Sequence, residues 1–267
     1  MNQKLENYII AGGNPGSDRL KTLANATWQS SEVFLKDAGL KAGMHCLDLG
    51  CGNGEITLRL SNLVGPQGSI TGIDADETCI LIAREASKAR EIPVDWKVGT
   101  IESDLAFEKY DFIYARFLLS HLRNPSVLLE RIQSRLKPGG VIAVEDVDFA
   151  GHFSYPACPA FDRYVELYLQ TGKQKGADPL IGPRLPVLLS KAGFTQPKMR
   201  VVLPTFMSGE GKRMAELTLK NIQSAIVEAG LAPKEEVERL VGEIADFTSD
   251  PFSIMSLPRI FQVCAIK

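Results

Sequence analysis

The run Leu47-Asp48-Leu49-Gly50-Cys51-Gly52-Asn53-Gly54 constrains this chain more than any other stretch. An apolar strand carrying an acid passes into three glycines at alternate positions, and a helical pattern begins directly after them. Glycine at such a turn tolerates a left-handed backbone and lets the chain pass close to another group. The amides of the turn, with the first turn of the next helix, are then expected to face a ligand. The dinucleotide fingerprint G-x-G-x-x-G needs its third glycine where this chain has Glu55, so that match fails.

The surrounding rhythm sets the fold class. His45–Leu49 reads as a strand, Ile56–Val64 as a helix stopped by Gly65-Pro66, and Ser69–Asp74 as a second strand. Thr78–Arg90 is helical, Val94–Val98 and Tyr110–Ala115 are strands, and Pro125–Leu136 is a helix. Lys137-Pro138-Gly139-Gly140 reads as a sharp stop before the continuous apolar strand Val141–Val147. Unbroken Val/Ile strands alternating with helices indicate a parallel sheet covered on both faces. The alternation breaks after Phe149, where an aromatic-rich helical pattern (Phe161, Tyr164, Tyr168) lies between Gly/Pro-rich loops. Arg184–Ala192, Lys212–Ala229 and Pro233–Asp246 read as helices, Lys198–Leu203 and Ile260–Ile266 as strands. Before the first strand, Asn14–Asp18 has turn chemistry, and helices are expected to follow it up to Gly39.

The chain has 267 residues, 45% hydrophobic and 23% charged, enough for one large α/β domain with added segments. A net charge of −2 and the lack of a Lys/Arg block argue against a nucleic-acid partner. Five cysteines without a C-x-x-C spacing, and a polar Met1–Tyr8, lead us to expect a cytoplasmic protein without a targeting signal. No apolar run approaches the roughly 18 residues of a membrane span.

The glycine spacing resembles that of class I S-adenosylmethionine (AdoMet) methyltransferases. Tyr110–Ile113, the stretch Tyr114–Leu122 and the turn Leu136–Gly140 are similar to the ubiquinone/menaquinone C-methyltransferase-like members. By motif the resemblance covers residues 40–150. It implies a Rossmann-like, seven-stranded, doubly wound sheet, mostly parallel with the last strand antiparallel, and a single domain over 1–267. Residues 41–150 would be the AdoMet-binding core, with lids from 1–40, 150–183 and 207–248. It also implies AdoMet as cofactor and methyl transfer to an O, N or C nucleophile of a small molecule.

The resemblance places residues residue by residue. Asp48, Gly50, Cys51, Gly52, Asn53 and Gly54 form the cofactor loop, with Asp48 orienting it and meeting the ammonium. Asp74, followed by Ala75, ends the second strand about 20 residues on, and a carboxylate there can accept two hydrogen bonds from a ribose diol. Thr100, Ile101 and Glu102 stand where relatives bind adenine, although Thr100 replaces the usual acid. Ala115, Arg116 and His121 lie beside the methionine moiety. Apart from the resemblance, Tyr8 reads either as a cover over the cofactor or as a packing tyrosine, and Arg19 either as a partner of its carboxylate or as a solvated arginine. His121 reads equally well as a structural histidine.

Asp146, Asp148 and His152 follow the fifth strand on the methyl-transfer side. Asp146 and His152 are the catalytic candidates, to hold or deprotonate the acceptor. Phe149, Phe153, Tyr155, Phe161, Tyr164 and Tyr168 would line the acceptor pocket, unless the last three are only a helix's core face. No metal is expected. Three other readings stay open. An NAD(P)-binding Rossmann oxidoreductase shares the Asp74 role, but lacks its glycine spacing and a Tyr-x-x-x-Lys pair here. A non-catalytic AdoMet- or S-adenosylhomocysteine-binding protein keeps every motif. A nucleic-acid or protein methyltransferase would more often carry an Asn/Asp-Pro-Pro-Tyr-type motif. Monomer and homodimer are not separated by sequence.

Overall fold

The computed structural model describes residues 14–100 and 109–267. A long helix, α1 (Asn14–Asp37), precedes β1 (His45–Leu49), α2 (Glu55–Val64), β2 (Ser69–Asp74), α3 (Glu77–Ala89) and β3 (Asp95–Val98). Then come β4 (Tyr110–Arg116), α4 (Pro125–Arg135), β5 (Leu136–Asp148), β6 (Ser154–Tyr155), α5 (Pro159–Lys175) and α6 (Leu185–Lys191). The chain continues through β7 (Thr195–Val202), β8 (Thr205–Phe206), α7 (Met214–Glu228), α8 (Lys234–Ser249), β9 (Ile254–Ser256) and β10 (Arg259–Ile266).

Seven strands form one sheet in the order β3-β2-β1-β4-β5-β10-β7. β1 to β5 pair in parallel, and β10 runs antiparallel to both β5 and β7. The expected seven-stranded sheet with its last strand antiparallel is therefore observed, with that strand inserted beside β5 rather than at the edge. A small second sheet, β6-β9-β8, lies outside it.

Side-chain alternation divides the core. Leu47, Leu49, Ile113, Ala115, Ile142 and Val144 point to the face covered by Leu129 and Ile132 of α4 and Leu185 and Leu189 of α6. Their neighbours Cys46, Phe112, Tyr114 and Ala143 point to the opposite face, against Phe34 and Leu35 of α1 and Ile56 and Leu60 of α2. Both faces of each central strand are thus apolar, which explains their unbroken hydrophobic runs. A third cluster joins α5, α7 and α8 around Phe161, Leu167, Leu219, Ile222, Leu240 and Ile244.

Two expectations are corrected. Asn14–Asp18 is the first turn of α1 and not a separate loop, and one helix replaces the expected several. Proline is compatible with a helix's first turn, where its missing N–H has no intrahelical acceptor. Lys137–Gly140 does stop α4, but it belongs to β5: Tyr110 pairs with Leu136 and Phe112 with Val141, so the stretch between them bulges from the ladder. Gly139 supplies the left-handed residue there, with φ 76°.

The chain runs outward from β1 to β3 on one side and restarts at β4 on the other. This makes the gap between β1 and β4 the topological switch point, where open parallel sheets bind ligands at the strands' carboxyl ends. Leu49 and Ala115 are register partners at that end.

Candidate functional site

The glycine turn leaves β1 with Gly50, Gly52 and Gly54 all left-handed, at φ 73°, 53° and 80°. That geometry is the first reason for glycine here. The second is packing. A Cβ on Gly54 would lie 2.5 Å from the Trp96 ring and 2.9 Å from Ala83, and one on Gly50 would lie 3.0 Å from Leu118. A Cβ on Gly52 would lie 3.3 Å from Leu20 of α1. Gly54 therefore admits the β3 tryptophan rather than a ligand.

The amides of the turn are mostly engaged within the protein, against the expectation that they face a ligand. Gly50 and Cys51 donate to the Ile73 carbonyl at 2.8 and 3.0 Å, and Gly54 donates to Cys51 at 3.1 Å. Gly52 N–H donates to Asp74 Oδ2 at 2.8 Å, while Asp76 N–H donates to Asp74 Oδ1 at 2.9 Å. Buried backbone donors need acceptors, and the β2 tip provides them. Asp74 thus ties β2's end to the glycine turn, and each oxygen retains acceptor capacity for a further donor. Burial raises its pKa, against the backbone hydrogen bonds it accepts.

Asp48 is 2% exposed and accepts the Thr57 hydroxyl hydrogen at 2.6 Å, linking β1 to α2. Burial raises its pKa to about 6; the Thr57 hydrogen bond and the Arg116 charge oppose that shift. Ala115 points into the core between the sheet and α4, so only its backbone reaches the strand end. Arg116 turns the other way. Its Nη2 donates to Thr27 of α1, and its guanidinium lies 4.8 Å from the Phe117 ring centroid. Its buried Nε has no hydrogen-bond partner among the described residues. Phe117 itself is left-handed at φ 49°, an uncommon conformation for a bulky residue.

His121, in the short turn Leu119–His121, is buried, with its pKa lowered to about 4 by burial and by the nearby Arg19 charge. Arg19 of α1 is 8% exposed, and its Nε donates to Thr218 of α7 at 3.0 Å. Thr100 is exposed at the end of β3, with Ala75 at the tip of β2. Tyr8, Ile101 and Glu102 lie outside the described residues.

On the β5 side, Asp146 is fully buried and accepts N–H bonds from Ser120 at 3.0 Å and from Val147 at 2.9 Å. Burial lifts its pKa to about 6. Its position fixes the turn that carries His121. Asp148 pairs with Arg259 at 2.7 Å and accepts from Ala150 N–H at 3.1 Å. His152 places Nδ1 3.1 Å from the Phe149 carbonyl, which can only accept, so Nδ1 carries the proton and Nε2 the lone pair. Burial lowers its pKa to about 3. It sits among rings: Phe149 at 4.6 Å and Phe161 at 5.5 Å, with Phe149 stacked on Tyr168 at 3.9 Å. Phe161, Tyr164 and Tyr168 are buried on α5's core face. Phe153 and Tyr155 are exposed. Among the described residues, no group of three His, Cys, Asp or Glu side chains is arranged to hold a metal ion.

A cradle of left-handed glycines, closed by one strand-end carboxylate at a switch point, is shared by many ligands. The family model decides between them: a methyltransferase domain matches residues 40–175, half of the chain. The chain belongs to the methyltransferase-domain family. Demethylmenaquinone methyltransferase of Staphylococcus aureus strain Newman is 31% identical over 141 residues, which is 51% of this chain and 54% of that protein. The chain thus spans about half the length of the curated relatives it matches. A putative methyltransferase of Bacillus halodurans has a TM-score of 0.59 at 15% identity, covering 88% of this chain and 97% of that one. A Haemonchus contortus phosphoethanolamine N-methyltransferase bound to S-adenosylhomocysteine has a TM-score of 0.55 at 19% identity, covering 90% of this chain and 52% of that one. These structures share the fold. Family and fold agree, and none of these relatives and structures is an oxidoreductase.

Thr57, Thr218 and Trp96 are site residues that sequence reasoning missed. Thr57 had a usable signal, a threonine in the first turn of the helix after the glycines, on the strand side. Thr218 had none, because α7 is some 200 residues from Arg19 and carries no motif.

Proposed function

We propose that this protein transfers the methyl group of AdoMet to an O, N or C nucleophile of a small molecule. The observation that carries the reading is the hydrogen-bonded unit of Asp48, the left-handed glycine turn and Asp74, set at the switch point opposite Ala115 and Arg116. Bound AdoMet supplies an electrophilic methyl group on a sulfonium. Asp74 holds the ribose diol, and Asp48 faces the amino group. Arg19 meets the carboxylate, with Arg116 and His121 beside the methionine chain. Gly50, Cys51, Gly52 and Asn53 form the floor, while Ala75, Thr100, Ile101 and Glu102 border the adenine and Tyr8 covers it.

The acceptor enters beside the rings around His152, under a lid formed by 1–40, 150–183 and 207–248. Asp146 serves this side by holding the turn before His121. His152, neutral with a pKa near 3, orients an acceptor through Nε2 and takes a proton only from a strongly acidic one. Alignment of nucleophile and methyl group, with exclusion of water, is then the main contribution to rate. We place the protein in the cytoplasm. A net charge of −2 favours a small acceptor over nucleic acid, and no helix among the described residues is long and apolar enough to cross a membrane.

Calorimetry with AdoMet, S-adenosylhomocysteine and NAD tests this directly. Binding of the first two and not the third is expected. Tight NAD binding without AdoMet binding would sink the reading. A radiolabelled-methyl screen of metabolite pools then separates an enzyme from a non-catalytic binding protein, since the latter labels nothing.

A further inference from the structure

Arg19 is a guanidinium buried to 8% exposure whose one hydrogen bond within the described residues is to the neutral hydroxyl of Thr218. No carboxylate among the described residues forms an ion pair with it. A buried guanidinium without a counter-charge is costly, and an anion arriving there removes that cost. The bond to Thr218 uses Nε. That leaves Nη1 and Nη2, the parallel end of the fork that matches a carboxylate in bidentate fashion.

Thr218 is itself buried, at 3% exposure, and sits where three lid helices meet. Arg19 reaches it from α1, and Tyr164 of α5 lies close by. The hydroxyl accepts from Arg19, so its lone pair is committed to holding the guanidinium. A threonine has a stiff χ1, which makes it a fixed post for a long side chain. Free arginine carries large rotamer entropy, and holding Nε removes much of that freedom before any ligand arrives.

We propose that Thr218 is a positioning residue for cofactor recognition: it aims the end of the Arg19 fork at the carboxylate of the cofactor's amino acid. The proposal rests on the reading of Arg19 given under the proposed function. It makes α7, far from every motif, part of the cofactor site.

The test compares S-adenosylhomocysteine with its decarboxylated analogue by calorimetry on wild type, Arg19→Ala, Thr218→Val and Thr218→Ser. Wild type is expected to prefer the carboxylate form by about tenfold or more, the range of a charge-assisted bond. Arg19→Ala loses that preference. Thr218→Val loses about fivefold of it, Thr218→Ser keeps it, and the decarboxylated analogue binds all four proteins alike. A merely structural defect would instead weaken both ligands together. Wild-type preference in Thr218→Val, with the preference gone in Arg19→Ala, overturns the role of Thr218. Wild-type preference in Arg19→Ala overturns the Arg19 reading and Thr218 with it. Folded wild-type protein that binds neither ligand overturns the methyl-donor reading itself.

Discussion

The two halves of this molecule are built on different rules. In the sheet half, between β1 and β5, each site feature follows from a local pattern: an acid in a strand, glycines at its end, another acid at the next strand's end. In the cap, α1, α5, α7 and α8 hold Arg19, Tyr164, Tyr168 and Thr218 together by long-range packing. The first half is a loop closed by its own backbone; the second is a set of helices closed by side chains. Rigidity in one comes from hydrogen bonds that a single residue completes, and in the other from apolar area shared among many.

Substitutions can break this contrast. The largest effect is expected at Gly54, where Gly54→Ala combines a left-handed φ of 80° with a Cβ 2.5 Å from Trp96. It should cost about 3–4 kcal/mol, from overpacking plus strain. Gly230→Ala, also left-handed but in open space, should cost only about 1 kcal/mol, so denaturant melts of the pair separate packing from strain. In the cap, Leu240→Ala should cost about 2–5 kcal/mol, yet leave S-adenosylhomocysteine affinity within about threefold if the sheet half binds independently. A large loss of affinity there would show that the halves are not separable.

Asp74→Ala removes the acceptor for Gly52 and Asp76 amides as well as the proposed ribose contact. Calorimetry should show cofactor affinity falling by about 100-fold, since buried donors are left unpaired. Unchanged affinity would contradict the ribose assignment.

The pH profile gives a smaller effect with a defined sign. Asp48 has its pKa raised to about 6 in the free protein, so it is largely protonated at pH 5. A cationic ammonium favours the carboxylate, so binding releases a proton. Affinity should rise about tenfold from pH 5 to a plateau reached at about pH 7, and Asp48→Asn should flatten that rise. For folding the sign is reversed: a raised carboxyl pKa stabilises the fold below about pH 4, and that contribution is lost as pH rises to about 6. The smallest effect belongs to Lys137→Ala. Its pair with Asp111, at 2.8 Å, is partly exposed at the opposite end of the strands, so stability should change by under about 1 kcal/mol and binding not at all.

How much was legible follows the same division. That helices cover both faces of the sheet was readable because Leu47, Leu49, Ile113 and Val144 sit in runs too apolar for a one-sided sheet. That Asp48 and Asp74 flank the glycine turn was readable because it depends only on their positions in β1 and β2. What the glycines make room for was not. Their spacing suggests a ligand above the turn, but the neighbour filling the space beside Gly54 and Gly72 is Trp96, from a strand that sequence does not align with them. Asp146 and His152 had suitable chemistry at a suitable strand end. Their burial, and the backbone partners that engage them, emerged only when β5, the Leu119–His121 turn and α5 were packed together.

The sequence alone determined the strands and helices of the parallel core and the glycine turn at the end of β1, because periodicity and turn chemistry act within a few residues. Only the tertiary structure decided how the helices outside that core pack together. The contact from Arg19 to Thr218 joins residues whose proximity no local pattern encodes, since it depends on how α1 and α7 dock through apolar surfaces that many partners would satisfy.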